Sequence, residues 1–143
     1  MVKIGKQKEA IKDYNKMISI NPNSSLAYNN RGNLKFELGD LSAAIKDYSR
    51  AIRLNPNDSR IYINRGDVRY ANDDKKGALF DYNTASKLEP KSSSLMYRIA
   101  DLKYDIGDTK GACLSWKKAF NLGEISISKW LNSSEGDWCK SFR

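Results

Sequence analysis

Histidine is absent from this chain, which removes the commonest general acid/base, the commonest metal ligand and every His-dependent catalytic triad. Two cysteines, Cys113 and Cys139, lie 26 residues apart. Two thiols without histidine do not complete the usual four-ligand structural zinc site. Nor do they form the disulfide framework of a small secreted domain, so the expectation is a plain buried thiol at Cys113 and an incidental Cys139 in the tail, with a disulfide between them as the alternative. No apolar run approaches the roughly 20 residues that cross a bilayer, and the N-terminus carries lysines where a signal peptide has its hydrophobic stretch. These absences lead to the expectation of a soluble, cytoplasmic protein. Gly-rich phosphate loops, nucleophile motifs and metal-ligand clusters are also missing. The expectation is therefore no enzyme, no cofactor and no metal.

What remains is a chain of 143 residues, 40% apolar and 29% charged, with a formal net charge of +8. That length accommodates one domain with a core of its own. Proline is scarce, and its placement is informative: Pro22, Pro56 and Pro90 follow one another at intervals of 34 residues. The same interval links Gly32, Gly66 and Ala100, and it links Ala10, Ala44, Ala78 and Ala112. It recurs in Tyr14, Tyr48, Tyr82 and Trp116, in Ala51, Ala85 and Ala119, and in Tyr28, Tyr62 and Met96. A fixed period of this length marks a stack of supersecondary units.

Each period reads as two helices. From Ser25 the spacing predicts a first helix to Glu37, ended by Gly39, which takes up the left-handed conformation at no steric cost. Asp40 caps a second helix carrying Ala44, Ile45, Tyr48, Ala51 and Ile52 on one stripe. Asn55-Pro56 stops it, because proline breaks the hydrogen-bond ladder and disfavours helix in the residue before it. The repeat from Ser59 uses Asp74 as its second cap, and the repeat from Ser93 uses Gly107-Asp108. Gly32, Gly66 and Ala100 are expected to face Ala44, Ala78 and Ala112 where the two helices cross, with Tyr48, Tyr82 and Trp116 filling the wider end.

A large residue, a small one at the crossing, Ala-x3-aromatic and a closing proline are met by Tyr28, Gly32, Ala44, Tyr48 and Pro56, and again by Tyr62, Gly66, Ala78, Tyr82 and Pro90. In this pattern the chain resembles the tetratricopeptide-repeat (TPR) family over about residues 5–122. The third repeat departs from it, with Met96 in the aromatic slot and Glu124 in place of proline. The resemblance implies an all-α, right-handed superhelical stack of helix-turn-helix hairpins with a C-terminal capping helix. Within one domain, residues 1–24 form a half repeat, 25–58, 59–92 and 93–123 three repeats, and 124–143 a capping helix and tail. Ile125, Ile127, Trp130 and Leu131 are the apolar face of that cap, which a terminal repeat needs. Residues 1–24 hold a second helix alone. Its first helix would lie upstream of Met1 in a longer repeat protein; otherwise Ala10, Tyr14 and Met17 form an uncovered face that invites self-association.

Arg31 and Arg65 stand where the family pattern usually has leucine, and Asp47 and Asp81 precede the second-helix tyrosines. The third repeat has Ile99 and Ser115, losing both partners together. This joint loss predicts structural Arg31–Asp47 and Arg65–Asp81 pairs, bidentate where partly buried.

The resemblance further implies a concave groove, lined by the first helices, that holds a peptide or a partner's helix. The residues so assigned are Asn29, Asn30, Asn33, Phe36, Arg60, Asn64, Asp67, Tyr70, Tyr97, Arg98, Asp101 and Tyr104. Amides among them satisfy both donors and acceptors of an extended backbone, and aromatics supply rigid contact area. Asn33, Asn64 and Arg98 also match three slots of the clamp with which some TPR domains grip a terminal carboxylate. Its two lysine slots hold Asn29 and Ser94, which removes much of the charge-assisted attraction. The expected partner is another protein or a peptide segment, with no small-molecule substrate and no membrane. Weak nucleic-acid binding through a basic outer face is the alternative; the acidic groove positions Glu37, Asp67, Asp101 and Asp105 leave a phosphate backbone no continuous basic track.

Overall fold

A computed structural model describes residues 2–123 and 137–140. The described residues form helices α1 (Val2–Ile20), α2 (Ser25–Glu37), α3 (Leu41–Leu54), α4 (Ser59–Ala71), α5 (Lys75–Leu88), α6 (Ser93–Asp105), α7 (Thr109–Asn121) and a single turn, α8 (Asp137–Lys140), with no strand among them. The capping helix expected from Glu124, with Ile125, Ile127, Trp130 and Leu131, lies outside the described residues.

The helix starts repeat because their caps repeat. Ser24 Oγ accepts from the Ala27 amide at 3.2 Å, Asp58 Oδ1 from Arg60 at 3.1 Å, and Ser92 Oγ from Leu95 at 3.4 Å. Asp40, Asp74 and Asp108 do the same for the second helices, accepting from Ala43, Gly77 and Gly111 at 3.2, 2.9 and 2.9 Å. Each cap satisfies an amide that the first turn leaves without a partner. The turns between the paired helices place Gly39, Asp73 and Gly107 in the left-handed region, at φ +83°, +60° and +85°. Asp73 is the one non-glycine of the three, a conformation that Asp tolerates better than most side chains. Gly5 stands at the same place in the period but lies inside α1.

The chain groups into two compact units, Met1–Asp81 and Tyr82–Arg143. In the first, α2 packs on α1, α3 and α4, and α3 packs on α4. Its core is Ala44, Tyr48, Ala51, Ile61 and Val68, flanked by Tyr28, Phe36, Leu41, Ile45 and Ile52. The closest approach to Gly32 comes from Tyr48 rather than from Ala44: a Cβ on Gly32 would lie 2.9 Å from Tyr48 Cε1. The Tyr48 ring thus leaves no room for a side chain at Gly32. In the second unit α6 packs on α7, burying Leu95, Met96, Ile99, Ala100, Ala112, Trp116 and Ala119.

Both predicted ion pairs form. Arg31 donates from Nε and Nη2 to the two oxygens of Asp47 at 2.8 and 2.6 Å, and Arg65 does the same to Asp81 at 3.0 and 2.7 Å. A second cation closes on each carboxylate: Lys35 Nζ lies 2.8 Å from Asp47, and Arg69 Nη1 lies 2.9 Å from Asp81. The third arm of each leading arginine reaches back one repeat, Arg31 to Asn15 Oδ1 at 2.7 Å and Arg65 to Ser49 Oγ at 3.0 Å. One guanidinium therefore staples three helices, α1, α2 and α3 in the case of Arg31. The bond to Asp47 is the main reason that Arg31 is held above its ordinary pKa.

Cys113 and Cys139 form a disulfide, with their α-carbons 5.5 Å apart and both residues fully buried. This corrects the expectation of a plain buried thiol and an incidental tail cysteine. The pairing follows from placement: α8 brings Cys139 onto the buried face of α7.

Candidate functional site

The first helices of the first unit present a polar strip. Asn64 Nδ2 donates to Asn29 Oδ1 at 3.1 Å and to Asn33 Oδ1 at 3.4 Å, so an amide ladder connects α4 to α2. Asn29 in turn donates to Asn30 Oδ1 at 3.3 Å. Asn33 has a structural task as well, since its Oδ1 accepts from the Tyr48 hydroxyl at 2.6 Å. Burial first, and then the negative charge of Asp67, Asp47 and Glu37, push the Tyr48 hydroxyl well above the usual tyrosine range. That shift favours the protonated hydroxyl that donates to Asn33.

These side chains wall an open cavity of about 710 Å³. Of the residues expected in the groove, Asn29, Asn30, Asn33, Arg60 and Asn64 line it, together with the apolar Leu26, Ile61 and Ile63. Leu26 is 66% exposed, a large apolar side chain on the cavity wall. The α3–α4 turn adds Asn55 and Asp58. Arg60 is folded onto Asp58, with Nε and Nη2 at 3.0 and 2.7 Å from its oxygens. Chiefly for that reason the Asp58 carboxyl lies below its ordinary range. The turn residues were not anticipated, although the Asn55-Pro56-Asn57-Asp58 run after the second helix carries the signal: proline ends α3 and delivers the cap of α4 beside the groove.

Phe36, Asp67 and Tyr70 do not line this cavity. Phe36 packs against the core of the unit, Asp67 is half-buried on α4 and Tyr70 is exposed near its end. A second hollow of about 410 Å³ lies between α1 and α2, lined by Ala10, Asp13, Tyr14 and Met17 with Ser24, Leu26, Ala27 and Asn30. It includes the α1 residues expected to form an uncovered face. The α1 lysines Lys3, Lys6, Lys8, Lys12 and Lys16 are all exposed.

In the second unit, Tyr97, Arg98, Asp101 and Tyr104 stand exposed on α6. Asp101 Oδ1 accepts from the Trp116 indole at 3.1 Å, and the Tyr104 ring lies 5.7 Å from that of Trp116. Desolvation, reinforced by Asp105, raises the Asp101 carboxyl above its ordinary range, opposed by hydrogen bonds from Trp116 and Tyr97. The pattern matches Asn33 and Tyr48: a side chain of the first-helix face holds the polar tip of the second-helix aromatic. Sequence reading assigned Asn33 and Asp101 to the groove and missed this second role, because it lies in a contact between positions 15 residues apart that both look like surface or core on their own helix. Arg98 belongs to the second unit, and the clamp residues Asn33 and Asn64 to the first.

Among the described residues no group of three or more histidine, cysteine, aspartate or glutamate side chains is placed to hold a metal ion. No helix among them is long and apolar enough to cross a membrane. The arrangement places amide donors and acceptors beside exposed apolar surface in one open cavity.

A family model described as TPR repeat matches residues 2–39 and 32–73. Among solved structures, the fold is similar to a crystal structure of MamA with a TM-score of 0.81 and 18% identity, covering 96% of this chain and 85% of that one. Another crystal structure of MamA protein gives 0.80 and 19%, covering 96% and 79%. MamA 41-end from Desulfovibrio magneticus RS-1 gives 0.75 and 17%, covering 92% and 72%. At these identities the likeness is one of fold. No curated protein sequence matches the chain.

Proposed function

The chain belongs to the TPR repeat family, and from that premise we propose that it is a protein-interaction scaffold that takes an extended peptide segment of a partner into the groove between α2 and α4. The observation that carries the reading is the Asn29–Asn64–Asn33 amide ladder lying beside exposed Leu26 and half-buried Ile63 in one open cavity. An extended backbone has donors and acceptors in alternation, which side-chain amides match without a charge requirement. Leu26 and Ile63 supply the apolar area that gives such contacts net affinity. Arg60 and Asp58, already paired at one rim, favour a neutral stretch of partner there over a strongly charged one.

The test begins with a partner recovered by the full chain from its source lysate and reduced to its minimal binding peptide. Leu26→Asp and Asn64→Asp place a charge on the apolar and the amide wall while leaving the Tyr48–Asn33 bond in place. With helicity intact, each is expected to weaken peptide affinity by about tenfold or more, roughly 1.4 kcal/mol. Unchanged affinity in both variants would move the interaction off this groove. Equal capture of nucleic acid by all forms, lost at moderate salt, would favour the exposed lysines of α1 instead.

A further inference from the structure

The three repeats treat one buried position differently. In the first, Asp47 is closed upon by Arg31 and Lys35; in the second, Asp81 is closed upon by Arg65 and Arg69. In the third, the carboxylate is replaced by Ser115 and the leading arginine by Ile99, yet the trailing cation is retained as Lys103. Its ammonium group donates to Ser115 Oγ at 3.2 Å. Among the described residues no ion pair reaches Lys103 or Lys118. Ile99 fills the arginine's place as a core residue, 3% exposed. Serine and isoleucine are both smaller than the aspartate and arginine whose positions they take. An open hollow of about 270 Å³ lies there, and its polar wall is Asn83, Ser86, Lys103, Ser115 and Lys118.

We infer that this hollow on the second unit is a carboxylate-binding site, which receives an aspartate or glutamate side chain from a partner protein. The chemistry is that of the neighbouring repeats. Lys35 shows that a lysine at this place in the period reaches a carboxylate at 2.8 Å, and Lys103 occupies the same place with a hydroxyl in the acid's stead. An incoming carboxylate gains charge-assisted bonds from Lys103 and Lys118 and neutral ones from Ser115 and the Asn83 amide. At about 270 Å³ the hollow is much smaller than the 710 Å³ cavity of the first unit, a size that suits a single acidic side chain. The site is independent of the groove between α2 and α4, and neither reading requires the other.

The probe is disodium succinate, titrated into the isotopically labelled full chain at constant ionic strength, with backbone amide shifts as the readout. Saturable millimolar shifts are expected at Asn83, Ser115 and Lys118, and Lys103→Met is expected to weaken them about tenfold, as removal of one charge-assisted bond implies. The decisive variant is Ser115→Asp, which rebuilds the carboxylate of the other repeats. It is expected to melt no lower than the natural chain, and to abolish the saturable shifts because its own acid occupies the place. Shifts that persist in a folded Ser115→Asp variant would overturn the site, as would the absence of saturation in the natural chain. Inorganic phosphate binding about tenfold more tightly than succinate would overturn the carboxylate assignment.

Discussion

At Asp81 two guanidinium groups converge on one carboxylate that has no solvent exposure. Such a cluster stabilises little relative to an apolar packing of the same volume, but removing one member strands the others. Asp81→Ala leaves Arg65 and Arg69 as uncompensated charges and is expected to cost about 3–5 kcal/mol, read from the denaturant midpoint. The third repeat supplies the control. Arg65→Ile with Asp81→Ser copies Ile99 and Ser115, and the double variant is expected to be no less stable than Asp81→Ser alone. A double variant whose losses simply add would show that Arg65 and Asp81 do not act as a pair. This pairing was legible in the sequence because both residues change together in the third repeat. The trailing cations Lys35 and Arg69 and the backward bonds to Asn15 and Ser49 were not, since lysine, asparagine and serine look equally at home on any solvated helix face.

For the helices, caps and breakers carry most of the information. Ser25, Ser59 and Ser93 as helix starts follow from the turn chemistry before them, and Pro56 with Asn55 explains why α3 ends at Leu54. Of the residues assigned to a groove, Asn29, Asn30, Asn33, Arg60 and Asn64 line one cavity, whereas Phe36 packs against the core of the first unit; the spacing alone does not tell the two placements apart. The disulfide was the least legible contact, because 26 residues of separation say nothing about whether α8 returns to α7. Closing a loop of that length contributes about 3 kcal/mol by restricting the unfolded chain. Because the bond is buried, reduction is carried out on the unfolded chain, and the refolded, reduced protein is accordingly expected to have a lower denaturant midpoint than the natural chain. Cys139→Ala is expected to match the reduced protein and to ignore the reductant. A midpoint that does not move on reduction would mean that the Cys113–Cys139 bond does not restrict the chain.

Across the whole molecule, stability follows from who touches whom. In a repeat protein each helix draws its support from immediate neighbours, so protection is graded along the chain rather than uniform. Helix α1 packs against α2, with Gln7 the one buried residue among those described in it, while Ile4, Met17 and Ile20 stay exposed. Helix α3 lies between α2 and α4 and buries Ala44, Asp47, Tyr48 and Ala51. The lesser burial of α1 means that opening it exposes little apolar surface, whereas opening α3 also breaks the Asp47 cluster and withdraws the Tyr48 ring from Gly32. Native-state hydrogen exchange is therefore expected to show α1 amides opening at a free energy about 2 kcal/mol or more below that of α3 amides. Asn15→Ala should widen the gap, because it cuts the bond from Arg31 that ties α1 to the Asp47 cluster. Equal protection in α1 and α3, unmoved by Asn15→Ala, would mean that the first unit opens as a single cooperative block and that the arginine staples do not set its local stability.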